Sequence, residues 1–269
     1  MGAMAAAPNP ALRIEAIDAV TVVTLDRPDR RNTIDFDTCI DLRRLLAEAD
    51  ADRGVRALVI AGNDRDFCTG ADVTARPDSA AVTSALDYRY LTVDYQRLFQ
   101  QLWEMETPVV SAVTGTVAGA GWMLALLADL VVAAGGARWT HVFARRGMIP
   151  HAGDPYFLPR VLPFHRLNEI ALLSEPVTSE TLASWGVVNR CVPADQVRAE
   201  ALGLATRLAG GPTRSLGLTK RLYRRSLDSD IVTAFEEERS AQALISTTHD
   251  RREGLLSFVE GRPPKFTGD

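Results

Sequence analysis

The sequence predicts an α/β fold, and three observations carry that expectation. Residues 57–61, 109–113 and 130–133 are short, almost wholly apolar runs, the signature of parallel strands covered on both faces. Loops and helix-period segments alternate with them, which is the order of crossover connections. From Asp195 onward the pattern is helical only. A strand-rich first part followed by a helical tail predicts a core with a C-terminal helical region, divided near residue 205.

The elements follow in chain order. Residues 12–17 and 20–25 are β-branched and aliphatic runs flanking Asp18-Ala19 and read as a hairpin. Asp26 to Asn32 is a polar loop with turn chemistry at Pro28 and Asn32. Asp35 is placed to cap a helix in which Cys39, Leu42, Leu46 and Ala49 recur at helical spacing. The strand at 57–61 leads into a loop, Gly62 to Val73, with glycines towards both ends. Residues 76–83 show no apolar period, and a long helix is expected over 84–105. Pro108 introduces the strand 109–113. Beyond Gly147, Pro150, Pro155, Pro159 and Pro163 divide the chain into short helical pieces as far as Leu173. A short helix over 178–185 and a strand over 187–192 come next. Helices are then expected at 196–208, 213–227, 231–247 and 251–260.

The stretch from Thr114 to Asp129 organises the rest. Gly119-Ala-Gly121 has almost no side chains and runs into the apolar segment Trp122 to Ala128. Glycine and alanine admit another backbone or a ligand, and the first N–H groups of a helix lack intrahelical partners. The stretch is therefore either a tightly packed helix start or a site for negative charge. Val117 to Ala134 also reaches the length of a membrane span. Asp129 and the abundant alanine make it instead a buried helix running into a buried strand.

Bulk properties narrow the function. The 269 residues are 46% hydrophobic and 24% charged, as in ordinary globular proteins, with a net charge of −4. That charge gives no electrostatic case for a nucleic-acid partner. Cys39, Cys68 and Cys191 have no metal-like spacing and fit free thiols in a reducing cytoplasm. The N-terminus lacks the charged and apolar regions of a signal peptide. There is no Gly-x-Ser-x-Gly for a serine hydrolase, and Gly135-Gly136 lacks the dinucleotide fingerprint. No metal site and no bound cofactor are expected.

Two loops stand in matching positions after apolar strands: Phe67-Cys68-Thr69-Gly70-Ala71-Asp72 and Gly119-Ala120-Gly121. With Leu25-Asp-Arg27-Pro28, Arg30, Asn32, Glu253-Gly254 and Phe258 through Pro263 to Lys265-Phe266, they resemble the crotonase (enoyl-CoA hydratase/isomerase) superfamily. The resemblance spans about residues 12 to 266. It implies a spiral of ββα units over residues 1–205, with 206–269 a helical trimerisation or lid region. It also implies a trimer or dimer of trimers and an acyl-CoA thioester as substrate, with CoA entering as part of that substrate. The N–H groups of Ala71 and Ala120 would form an oxyanion hole. Cys68, Gly70, Asp72, Gly119, Met123 and Phe143 would line the substrate site. Arg27, Arg30, Lys220, Lys265 and Phe266 would lie near CoA.

This sequence departs from the family's hydratases at both acid–base glutamates. The matching positions are Met123, three residues after Ala120, and Phe143, four before Gly147. Neither side chain moves a proton. The segment from Gly147 to Pro155 resembles the isomerase branch, where the position of an acid–base aspartate is His151. An imidazole with an ordinary pKa of about 6.5 shuttles protons at neutral pH. Asp154 could orient that ring, carry the proton, or cap the helix that begins at Pro155, and Asp72 is a further candidate. His151 could equally be a loop histidine bonded to backbone. Asp129 reads as structural, and His141, His165 and His249 read as surface or core residues. Three functions remain: an acyl-CoA isomerase, a divergent hydratase using His151 and Asp154, and a non-catalytic acyl-CoA binder.

Overall fold

The computed structural model describes residues 9–72 and 92–269. The unpatterned segment 76–83 and the first part of the helix expected over 84–105 lie outside the described residues.

Strands β1 (Leu12–Ile17) and β2 (Val20–Leu25) form the expected antiparallel hairpin, with Leu12 opposite Leu25. Helix α1 (Phe36–Ala51) begins where Asp35 accepts the Thr38 N–H at 2.8 Å, satisfying one of the orphan donors of its first turn. Strand β3 (Ala57–Ala61) is buried throughout and pairs in parallel with β2 and with β4 (Val109–Val113). The apolar runs are thus explained by position: both faces of these strands are covered.

The next described helix is α2 (Val93–Glu104), whose Leu98, Phe99 and Leu102 face the core. After β4 come β5 (Thr116–Ala118), the seven-residue α3 (Ala120–Leu126) and β6 (Leu130–Ala134). The apolar run Val117 to Ala134 is therefore a strand end, a short buried helix and a second strand. No helix among the described residues is long and apolar enough to cross a membrane.

Six strands form one sheet in the order β1-β2-β3-β4-β6-β9, parallel after the hairpin, where β9 is Arg190–Val192. Three more, β5, β7 (Arg138–Thr140) and β8 (Val177–Thr178), make a small second sheet. Sequence reading did not separate β5 and β7 from their loops, because three residues are too few to show a period. It also made β9 too long: residues 187–189 run outside the strand.

Helix α4 (Asp154–Val161) packs on α3 and on α5 (Phe164–Leu173), and α6 (Ser179–Ser184) packs beside β8 and β9. Helix α7 (Val197–Ala209) lays Ala201, Leu204 and Ala205 on the sheet, within an apolar cluster that includes Val59, Val110 and Val132. Helices α8 (Thr213–Ser226), α9 (Ile231–Ile245) and α10 (His249–Glu260) complete the C-terminal region. Their ends fall within two residues of the expected ones. Ile231, Val232, Phe235, Leu244, Phe258 and Val259 on α9 and α10 are exposed.

Candidate active site

The first loop is shaped by its neighbours. Buried Asn32 donates to the Asp66 and Phe67 carbonyls at 2.6 and 3.3 Å, tying the polar loop after β2 to the loop after β3. Ile34 then pairs with this loop as a strand would. Its N–H donates to Gly70 O (2.9 Å) and its carbonyl accepts from Asp72 N (2.8 Å). Peptide groups of an extended chain alternate sides, so the Ala71 N–H between them points away from Ile34. Gly70 adopts φ +98, which favours glycine.

The second loop lies against the first. Ala118 N donates to Cys68 O at 2.9 Å. A Cβ on Gly70 would fall 3.0 Å from Ala118 O and 3.2 Å from Ala120 N. Gly119, at φ +51, turns the chain into α3, and Ala120 is the first helical residue, where an N–H has no intrahelical partner. Neither the Ala71 nor the Ala120 N–H has a hydrogen-bond partner among the described residues. Small residues are required here for approach, and the donors are backbone groups.

Both alanines line one pocket together with Thr69, Gly70, Gly119, Met123, Phe143, His151 and Asp154. The structure thus brings together the two loops, the two positions of the missing glutamates and both candidate proton carriers. Met123 and Phe143 are buried and apolar. His151 Nδ1 lies 3.3 Å from Ile149 O. A carbonyl only accepts, so Nδ1 is the donor in this contact, and in the neutral ring Nε2 is the acceptor. Its ring meets the Phe143 ring edge-on at 5.1 Å. No glutamate lines the pocket among the described residues. Burial pushes the Cys68 thiol up to about 12, which removes it as a nucleophile at neutral pH.

Asp154 does not cap α4. Gly153, at φ +92, is the N-cap residue, and no side chain bonds the first turn. Asp154 is already helical, and its carboxylate turns to His141, with His141 Nε2 2.9 Å from Asp154 Oδ2. His141, expected to have no informative partner, is fully buried, and its Nδ1 has no partner. Strand alternation could have found it: Trp139, His141 and Phe143 all face inward while Thr140 and Val142 are half-exposed.

The cationic residues expected near CoA lie outside this pocket. Arg27 forms ion pairs with Asp35 (3.0 Å) and Asp72 (3.3 Å) and donates to Thr33 O. Arg30 and Lys265 are exposed, and Phe266 packs beside Gly254. Lys220 requires a correction. Its ammonium is enclosed, bonded to Asp129 Oδ2 at 2.6 Å and Thr107 O at 2.9 Å, and is committed to holding α8 on the core. Burial pulls its pKa down although Asp129 opposes that shift. Asp129 also accepts from Arg224 and from Val109 N, a structural role.

A mixed α/β core with two glycine–alanine loops meeting at one pocket defines the crotonase class of acyl-CoA proteins. The family described as Enoyl-CoA hydratase/isomerase matches residues 15–269, and the chain belongs to it. The "Probable enoyl-CoA hydratase" of Rhodobacter capsulatus is 34% identical over 96% of this chain and 98% of its own. The 1,2-epoxyphenylacetyl-CoA isomerase of Escherichia coli is 33% identical over 93% and 95%. A crystal structure from Streptomyces coelicolor A3(2), assigned to the enoyl-CoA hydratases, superposes with a TM-score of 0.90. It is 35% identical and covers 100% of this chain and 99% of that one.

Proposed function

We propose that this protein is an acyl-CoA isomerase that moves a double bond or rearranges a ring through an enolate. One observation carries the reading: the pocket that holds Ala71 and Ala120 contains His151, but methionine and phenylalanine stand where hydratases of the family carry glutamates. The thioester oxygen would accept from the Ala71 and Ala120 N–H groups. Each such donor is worth roughly 3–4 kcal/mol as the oxygen becomes an enolate. His151 Nε2, the acceptor of the neutral ring when Nδ1 donates to Ile149 O, would take a proton from a carbon conjugated with the thioester. It would return that proton further along the chain. Net isomerisation consumes no water, so one such carrier suffices.

The hydratase reading is favoured by the name of the Rhodobacter capsulatus relative, and it would set His151 and Asp154 to activate water. Incubation with enoyl- and dienoyl-CoA esters in isotopically labelled water separates the two. Isomerisation places deuterium on carbon and no solvent oxygen in the product, whereas oxygen incorporation selects the hydratase. Binding without either isotope would leave a CoA-ester binder. His151→Ala is expected to lower turnover by at least about a hundredfold and leave ester affinity within about tenfold; unchanged turnover removes His151 from the chemistry. The exposed apolar side chains of α9 and α10 support assembly into trimers through residues 206–269, which sedimentation checks.

A further inference from the structure

The pocket contains a carboxylate oxygen that the isomerase reading does not use. Asp154 is only 3% exposed and lines the pocket. Its Oδ2 accepts from His141. Its Oδ1 has no partner among the described residues and is not sealed off as His141 Nδ1 is. The remaining exposure of this side chain therefore opens into the pocket. Among the side chains that line the pocket, Thr69, Tyr95, Arg146 and His151 carry polar hydrogens, but none of them bonds Asp154 Oδ1, and the others are apolar.

The oxygen is also held still. Asp154 is the first residue of α4, followed by Pro155, and Gly153 before it packs closely on Phe157, where a Cβ would fall 2.6 Å from the ring. At the other end the carboxylate is tethered to the buried imidazole. A carboxylate only accepts, so His141 Nε2 donates, and its protonation is fixed by the partner. A rigid acceptor with one open lone-pair side is what recognition of a donor requires.

We infer that the His141–Asp154 pair makes this pocket selective for an acyl group carrying a hydroxyl. The inference rests on the acyl-CoA reading above. When an acyl chain displaces water from the pocket, Asp154 Oδ1 loses its solvation. A hydrocarbon chain returns nothing, and an ether or carbonyl oxygen presents only lone pairs. An O–H returns a charge-assisted hydrogen bond. Sites built on such a group reject the analogue that lacks it, because the buried partner is left unpaired. Asp154 is then a specificity-determining residue and His141 a positioning residue.

The test uses saturated six-carbon CoA esters, which cannot isomerise, with titration calorimetry as readout. The hydroxyl is placed on the fourth, fifth or sixth carbon, and each ester is compared with its methyl ether and with the unsubstituted ester. With the unaltered protein, one hydroxy ester is expected to bind at least about tenfold tighter than both comparators. Asp154→Asn keeps an acceptor for His141 but turns an NH₂ to the pocket, and the preference should fall to within about threefold. His141→Phe should lose the preference with Asp154 still present, and His141→Gln, which can still donate, should restore most of it. Equal binding of all esters overturns the inference while leaving the acyl-CoA reading intact. Absence of binding by every ester overturns both. An Asp154→Asn protein that keeps the hydroxyl preference but stops exchanging deuterium into an enoyl-CoA assigns the carboxylate to proton transfer and overturns the inference.

Discussion

Gly121 packs directly on the carbonyl oxygen of Cys68: a Cβ at that position would fall 2.2 Å from it. The same peptide oxygen accepts the Ala118 N–H at 2.9 Å, so one carbonyl locks the two loops of the pocket together. Nothing on this contact is a side chain, which makes glycine at 121 a requirement of distance.

Gly121→Ala is therefore expected to force the loops apart. Displacement of about 1 Å at a reacting centre costs on the order of a hundredfold in rate, and overpacking costs about 1–3 kcal/mol of stability. Turnover and thermal midpoint should both fall. Gly203→Ala is the control: Gly203 is inside α7 with nothing within 4 Å of a new Cβ, and alanine there should add up to about 1 kcal/mol. Equal melting points and rates in the two variants would contradict the role given to Gly121.

Arg27 bridges Asp35 and Asp72, and Asp72 follows Ala71. Its guanidinium thereby ties down the loop that carries Ala71. Arg27→Met leaves both carboxylates without this partner while preserving much of the volume. We expect kcat to fall at least about tenfold with KM for the CoA ester changed less than about threefold. The reverse pattern, a raised KM at constant kcat, would return Arg27 to the CoA phosphates. Arg27→Lys should rescue little, because a point charge cannot reproduce the forked contact.

The sequence made the sheet legible because its strands are buried on both faces and uninterrupted by charge, as at 57–61 and 109–113. Helix starts were legible where an aspartate caps them, as Asp35 and Asp230 do, whereas behind Thr248 the expected start at 251 falls two residues late. The loops were legible because their glycines obey steric necessity, at Gly70 and Gly121 above all. The His141–Asp154 contact was not. Its partners are 13 residues apart; the buried alternation of Trp139, His141 and Phe143 marks the imidazole as inward-facing but not what it meets, and Asp154 beside Pro155 imitates a helix cap. Lys220 misled for a related reason: a lone lysine in an amphipathic helix looks solvated until the opposite wall, with Asp129, is in place.

The C-terminal strap should release in acid. Glu253 accepts both Arg262 nitrogens, at 2.6 and 2.9 Å, and the Lys265 N–H at 2.7 Å. The Arg262 bonds foremost hold its pKa at about 2, below the ordinary 4.5. Burial pushes the Asp250 carboxyl up, but the N–H groups of Thr267 and Gly268, at 2.7 and 2.8 Å, outweigh it and leave the pKa lowered. Both folded values lie below the unfolded ones, so the unfolded chain binds more protons in this range and stability falls with falling pH. The contribution is complete above about 4.5 and disappears as pH drops towards about 2. Amide chemical shifts of Lys265, Thr267 and Gly268 should stay at their neutral values down to about pH 4 and move together below it. In Glu253→Gln the Lys265 shift should already be displaced at neutral pH, while those of Thr267 and Gly268 stay tied to Asp250. Shifts that move only through the ordinary carboxylate range near 4 to 5 would show that these bonds do not form in solution.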